Sequence, residues 1–191
     1  MKIGITGGIG SGKSFVCKIL SKRGIKVYDC DSAAKRLMRE SVQLRKQLTE
    51  LIGPETYNAE GQLNKAIVAQ FLLASEANAK AIDTIVHPAV FRDFKQSGIT
   101  WMESAILFES GINMLVDQVV VVTAPEHIRI ARVMERDGIS SEKAKEWITR
   151  QWPQEEVRKR ADYEIINDGI MPLEPQIDKI IELISSCNRQ F

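Results

Sequence analysis

Gly4-Ile5-Thr6-Gly7-Gly8-Ile9-Gly10-Ser11-Gly12-Lys13-Ser14 joins an apolar run to a helical pattern through a glycine-rich turn. From Gly7 to Ser14 it satisfies G-x-x-x-x-G-K-[ST], with the apolar run Ile3-Gly4-Ile5 before it and an amphipathic stretch at 15–23 after it. That is the strand, loop and helix context the pattern requires. Glycines let successive backbone N–H groups turn inward as an anion nest, and the helix that starts there adds the positive end of its dipole. A nucleotide polyphosphate is the natural guest of such a loop.

Working outward, short apolar runs alternate with helical patterns. Strands are expected at 3–6, 25–28, 100–108, 118–123 and 163–166, forming a parallel sheet covered on both faces. The first helix should bury Phe15, Val16, Ile19 and Leu20 and stop at Gly24, a good C-cap residue. The last carries Ile177, Ile180, Ile181 and Ile184 at helical spacing. About seventy residues separate the second and third strand candidates, far more than a crossover helix needs. Their apolar residues recur helically, as Leu44, Leu48, Leu51 and Ile52, then Ile67, Val68, Phe71 and Leu72, then Ile82, Ile85 and Val86. We read a helical insertion at 32–98 and a charged helical lid at 125–160. The nucleotide-binding core is then 1–31 with 99–124 and 161–191. The expected fold is α/β, three-layered, with a five-stranded parallel sheet, a helical substrate-binding insert and a helical lid: the layout of a small phosphotransferase of the P-loop kinase fold.

Composition narrows the class. The 191 residues carry a formal net charge of +1, so no global pull toward nucleic acid or a membrane surface is visible. Cys17, Cys30 and Cys187 are odd in number, far apart and without metal-ligand spacing, as in a reduced, cytoplasmic protein. No apolar stretch approaches a membrane span, and the chain enters its first strand with no leader pattern.

Two polar clusters invite chemistry. In the lid, Arg129, Arg132 and Arg136 share a helix face at spacings of three and four; interspersed acids explain part of this cluster as surface ion pairs, and Arg136 is selected as a transition-state contact. In Asp29-Cys30-Asp31, period-two alternation places both carboxylates on one side of an extended chain, beyond the carboxyl end of a strand where open sheets bind ligands. One could accept a hydroxyl proton and the other help hold hydrated Mg2+ through water. The competing reading is a solvent-facing loop in which Ser32 or Asp31 only caps the next helix.

The glycine loop at 4–14, Asp29-x-Asp31, His87-Pro88, Ile106-Leu107-Phe108-Glu109, Arg132-x-x-x-Arg136-Asp137, Gln151, Ala161-Asp162 and Asn167-Asp168-Gly169 together resemble the dephospho-CoA kinase family, in order and spacing, over nearly the whole chain. The resemblance implies that ATP phosphorylates the ribose 3′-hydroxyl of dephospho-CoA, the last step of coenzyme A synthesis. It implies Asp31 as the catalytic base, with Lys13 and Arg136 also catalytic. Gly8, Gly10, Ser11, Gly12, Lys13, Ser14, Phe15, Arg136 and Asn167 would bind ATP, with Asn167 near the adenine. Thr6, Asp29, Asp31, His87 and Glu109 would meet the substrate. Ser14 would ligate Mg2+, and Asp29 would do so through water. A monomer or weak homo-oligomer, with no nucleic-acid partner, is expected.

The chain departs from the family pattern at four places: Phe15 stands where Thr is usual, Ala105 where Pro is common, Glu103 for Asp, and Arg129 for Gln. Another P-loop kinase, with a nucleoside or nucleotide acceptor, is the nearer alternative, although the Asp-Arg-aromatic trio frequent in those enzymes is missing. A nucleotide-driven switch is disfavoured. No Asp-x-x-Gly occurs, and Asn64-Lys65 is followed by Ala66-Ile67 rather than by a guanine-reading Asp.

Overall fold

The computed structural model describes residues 1–187. Among these residues five strands, β1 (Ile3–Thr6), β2 (Val27–Asp29), β3 (Trp101–Glu103), β4 (Gln118–Thr123) and β5 (Tyr163–Ile166), form one sheet in the order β2-β3-β1-β4-β5. The β1–β3, β1–β4 and β4–β5 pairs are parallel, with Ile5 opposite Glu103 and Val120. Central strands of such a sheet are buried on both faces. Accordingly every residue of β1 is buried, as are Val119 through Thr123 of β4.

Among the described residues nine α-helices accompany the strands: α1 (Lys13–Lys22), α2 (Cys30–Glu40), α3 (Val42–Ile52), α4 (Lys65–Ala74), α5 (Glu76–Ser97), α6 (Glu126–Asp137), α7 (Ser141–Thr149), α8 (Gln154–Arg158) and α9 (Leu173–Cys187). Two compact units result, Met1–Tyr28 with the chain from Ile99 onward, and Asp29–Gly98; residues 125–160 belong to the first. Its core joins Ile3, Ile5, Val120, Val122 and Ile165 of the sheet to Val16, Ile19 and Leu20 of α1 and Ile177, Ile180 and Ile184 of α9. Ile181 packs at its edge. Phe15 departs from the expected pattern: it is 57% exposed, because the buried stripe of α1 runs through Val16, Ile19 and Leu20 and leaves position 15 on the other side.

The expected strand at 100–108 ends early. Ser104 donates its N–H to Ile5 O, its hydroxyl accepts from the Ile106 N–H, and the chain turns. The apolar run beyond it plugs the sheet instead of extending it: Leu107 is fully buried and touches Gly4, where an added Cβ would meet Leu107 Cδ1 at 3.1 Å.

In the second unit, Leu44 and Leu48 of α3, Val68 of α4 and Ile82 and Val86 of α5 are buried. These are residues the helical spacing singled out. Ser41, Asn64 and Ser75 cap α3, α4 and α5 through side-chain oxygens that accept from the third residue on. Pro88 lies inside α5 rather than at its boundary. The helix continues through it although the Thr84 carbonyl loses its intrahelical donor.

Candidate active site

Residues 7–12 leave β1 and deliver the chain to the first turn of α1. Gly12 is the N-cap of α1 with φ +94, a left-handed conformation, and an added Cβ would lie 2.0 Å from Asn167 Nδ2. Both facts demand glycine there.

The carbonyls of the loop are held from outside. Ser11 O accepts from Asn167 Nδ2 at 2.8 Å and from Arg132 Nη1 at 3.4 Å, and Gly10 O accepts from Arg132 Nη1 at 3.3 Å. Arg132 Nη2 also donates to the backbone and side-chain oxygens of Asn167, at 3.1 and 3.2 Å, which fixes the Asn167 amide with its nitrogen toward Ser11. In a planar trans peptide C=O and N–H point opposite ways, so holding Ser11 O aims the Gly12 N–H away from Asn167. Among the described residues no acceptor meets the N–H groups of Gly10, Gly12 and Ser14. They are donors open to an anion, at the positive end of α1. The Phe15 N–H, by contrast, donates to Gly12 O at 3.0 Å.

Lys13 is buried, and its Nζ donates to Gly7 O at 2.7 Å and lies 3.8 Å from Glu103 Oε1 on β3. Ser14, in the first turn of α1, is exposed, while Ser11 Oγ is buried with no hydrogen-bond partner among the described residues. Thr6, at the carboxyl end of β1, is 2% exposed and lines a small recess with Gly8, Ala105, Glu109, Gln151 and Trp152. Glu109 Oε1 accepts from the Trp152 N–H at 3.2 Å. The Trp152 indole stacks on Phe108 at 6.4 Å and lies under the Arg160 guanidinium at 5.1 Å.

Arg136, the arginine selected from the sequence, sits at the end of α6 with its guanidinium on Asp137, Nη2 to Oδ2 at 2.7 Å. That hydrogen bond holds the Asp137 carboxyl below the usual range and raises the Arg136 pKa. The arginines that reach the loop are Arg132 and, 5% exposed, Arg129, whose Nε donates to Ile9 O at 2.9 Å. Burial pushes the Arg129 pKa down, and Glu126 offsets part of that. Neither residue was assigned a role from sequence, nor were Gln151 and Glu103; the spacing of 129 and 132 placed both on one helix face but could not say what that face meets.

Within the second unit, Asp29 is the N-cap of α2: Oδ1 accepts from the Ser32 N–H at 3.0 Å and Oδ2 from the Ser32 hydroxyl at 2.6 Å. Asp31 lies in the first turn of α2 and is exposed. The extended-chain alternation expected for this pair therefore does not hold, because the strand ends at Asp29 and the helix begins at once. His87 is in the middle of α5, its Nε2 3.5 Å from Asp83 Oδ1 and its ring stacked on Phe91 at 6.2 Å.

The sequence model described as dephospho-CoA kinase matches residues 1–172. A dephospho-CoA kinase of Bacteroides fragilis is 42% identical over 191 residues, covering 96% of this chain and 93% of its own length. One from Porphyromonas gingivalis is 43% identical over 189 residues, covering 95% and 93%. Among solved structures, a Thermus thermophilus protein superposes with a TM-score of 0.80 at 30% identity, covering 97% of this chain and 96% of that one. A shikimate kinase of Acinetobacter baumannii, at 17% identity, TM-score 0.56 and coverage of 97% and 93%, shares the fold alone. The open N–H groups, the buried Lys13 and the strand order thus occur in a chain that matches one kinase family along nearly its full length, and it belongs to the dephospho-CoA kinase family.

Proposed function

We propose that the loop at 7–14 takes the β- and γ-phosphates of ATP and that the chain carries out the reaction of its family, transfer of the γ-phosphoryl group to the ribose 3′-hydroxyl of dephospho-CoA, giving coenzyme A and ADP. The observation that carries this reading is the set of N–H groups of Gly10, Gly12 and Ser14, without an acceptor among the described residues, beside buried Lys13. Positioned donors of this kind supply most of what phosphoryl transfer asks of a protein, since the transition state needs alignment and charge neutralisation rather than covalent chemistry.

Each residue then has a task. Lys13 exchanges Gly7 O for a phosphate oxygen. Asp31 orients the acceptor hydroxyl and takes its proton. Arg136 leaves Asp137, an exposed pair that holds weakly, and meets the phosphates as the lid closes. Asn167, fixed by Arg132, lies on the adenine side of the loop. Thr6, His87 and Glu109 meet the acceptor.

Mg2+ fits the donors present. Among the described residues no cluster of three or more His, Cys, Asp or Glu forms a cage, and a Mg2+ held largely by phosphate oxygens and water needs none. Ser14 supplies one ligand, with Asp29 acting through water. Held there, a bound Mg2+ would supply charge neutralisation at the phosphates as the transition state forms. No helix among the described residues is long and apolar enough to cross a membrane; a cytoplasmic monomer or weak homo-oligomer is the proposed working form.

The test incubates the pure protein with Mg-ATP and a panel of dephospho-CoA, adenosine, AMP and pantetheine, with products read by mass. A gain of one phosphate on dephospho-CoA alone is expected. Phosphorylation of adenosine or AMP in its place would overturn the acceptor assignment in favour of a nucleoside or nucleotide kinase.

A further inference from the structure

Ile9 is gripped on both of its peptide groups by side chains remote in sequence. Its N–H donates to Gln151 Oε1 at 2.7 Å, and its carbonyl accepts from Arg129 Nε at 2.9 Å. Gln151 spans a second point, because its Nε2 donates to Ala105 O at 3.3 Å. Ile9 offers only a donor and Ala105 only an acceptor, so the network assigns the amide orientation.

Arg129 is buried, and among the described residues no carboxylate forms an ion pair with it. A buried guanidinium without a counter-ion is costly. The groups it touches belong to the loop. Besides Ile9 O, a Cβ added at Gly8 would lie 2.3 Å from Arg129 Nη2, and one at Gly10 would lie 2.5 Å from the Arg129 carbonyl oxygen.

The geometry has a direct effect on the donors. The Ile9 carbonyl and the Gly10 N–H belong to one planar trans peptide, so the bond from Arg129 to Ile9 O aims the Gly10 N–H the other way. Likewise the bond from Ile9 N–H to Gln151 aims Gly8 O, which accepts from the Ser11 N–H at 3.1 Å and closes the turn. Ile9 stands between two glycines, where peptide rotation meets little steric resistance. The two side chains supply the restraint that the loop's own composition lacks.

We propose that Arg129 and Gln151 are positioning residues that jointly set the phosphate-binding form of the loop by fixing the two peptide groups of Ile9. Neither touches substrate in this role. The inference rests on the reading that the loop binds a polyphosphate, and it deepens that reading by making lid residues the source of the loop's shape. Arg129 stands where the family pattern more often has Gln, so this grip includes a residue that departs from that pattern.

The test uses the full chain with Arg129→Met, Gln151→Met, the double variant, and the conservative pair Arg129→Lys and Gln151→Glu. Mg-ATP affinity is read by calorimetry, acceptor KM and kcat by steady-state transfer to dephospho-CoA, and folding by circular dichroism melts. Each Met variant should weaken Mg-ATP about tenfold, the scale of one charge-assisted or buried hydrogen bond, with acceptor KM unchanged within about twofold. The double variant should lose no more than about the worse single variant, since both act on one residue. Arg129→Lys should recover most of the loss, and Gln151→Glu should recover part, because it keeps the acceptor for Ile9 N–H but turns an oxygen on Ala105 O.

Folded Met variants that bind Mg-ATP like wild type would overturn the inference, and so would losses that multiply in the double variant. If a Met variant fails to fold, its conservative partner decides: Gln151→Glu weakening ATP without moving acceptor KM supports the grip, and Gln151→Glu or Arg129→Lys raising both constants equally overturns it. Wild type that fails to bind Mg-ATP refutes the phosphate-loop reading and this inference with it, whereas wild type that binds beside unaffected variants refutes this inference alone.

Discussion

Gly7→Ala should damage both the stability of the chain and its hold on ATP. Gly7 has φ +146, and an added Cβ would lie 2.3 Å from Val122 O, 2.8 Å from Ser11 Oγ and 3.2 Å from the Val122 carbonyl carbon. The Ser11 hydroxyl can rotate away. Val122 cannot yield, because it is fully buried in β4, a strand paired with β1 on one side and, through Ile165, with β5 on the other. The loop must therefore move by on the order of 1 Å to restore a normal contact, carrying with it Gly7 O, the acceptor of Lys13 Nζ. Backbone strain of about 1–3 kcal/mol adds to overpacking of similar size, so roughly 2–6 kcal/mol is lost, a fall in Tm of at least ~5 °C. Gly24→Ala is the control: φ is +79 but nothing lies within 4 Å of an added Cβ, so it carries only the left-handed penalty of about 1–2 kcal/mol. Circular dichroism melts of both variants, beside calorimetric Mg-ATP titrations, separate the two costs. If Gly7→Ala melts with Gly24→Ala and binds Mg-ATP within twofold of wild type, the tight seat of the loop on β4 is refuted.

Lys13→Ala should lower kcat by roughly 10²-fold or more and weaken Mg-ATP; turnover within tenfold of wild type in a single-turnover assay would remove Lys13 from the chemistry. Arg136→Ala should lower kcat more than it raises the KM for ATP, since the contact proposed for it would strengthen as charge develops; a change confined to KM makes it a ground-state binder. Asp31→Asn should cost roughly 10²-fold in kcat with ATP affinity intact, and near-normal turnover would sink its assignment as base. Asp29→Ala should lose about 1 kcal/mol with the α2 cap, which a melt detects, while Asp29→Asn keeps an acceptor and should show a kcat defect that rising Mg2+ partly repairs.

The phosphate loop was legible because its chemistry is contiguous: eight residues, 7–14, from the end of a strand into the first turn of a helix contain the turn, the donors and the cation. β1 and β4 were legible for a related reason, as each is a short apolar run whose burial on both faces leaves little choice of partner pattern. The run at 100–108 misled, because burial alone does not distinguish a strand from a turn whose leucine fills a hole: Ser104 still makes its ladder bond to Ile5 O, and the chain turns where the Ser104 hydroxyl accepts from the Ile106 N–H. Asp29-Cys30-Asp31 misled differently. Alternation was the right rule for an extended chain, but the Ser32 bonds to Asp29 start a helix one residue earlier than the rule needed.

By itself the sequence determined the α/β class, the phosphate loop with Lys13 and Ser14, the helical character of 32–98 and 125–160, and the family resemblance. All of these rest on local periodicity or on short motifs whose spacing is their geometry. Tertiary structure alone decided which side chains hold the loop in shape. Gln151 and Arg129 lie 142 and 120 residues from Ile9, and Asn167 lies 156 from Ser11. No periodicity reaches so far: these contacts exist because the parallel sheet brings the carboxyl ends of β1, β4 and β5 side by side, so that residues following each strand converge on one set of peptide groups.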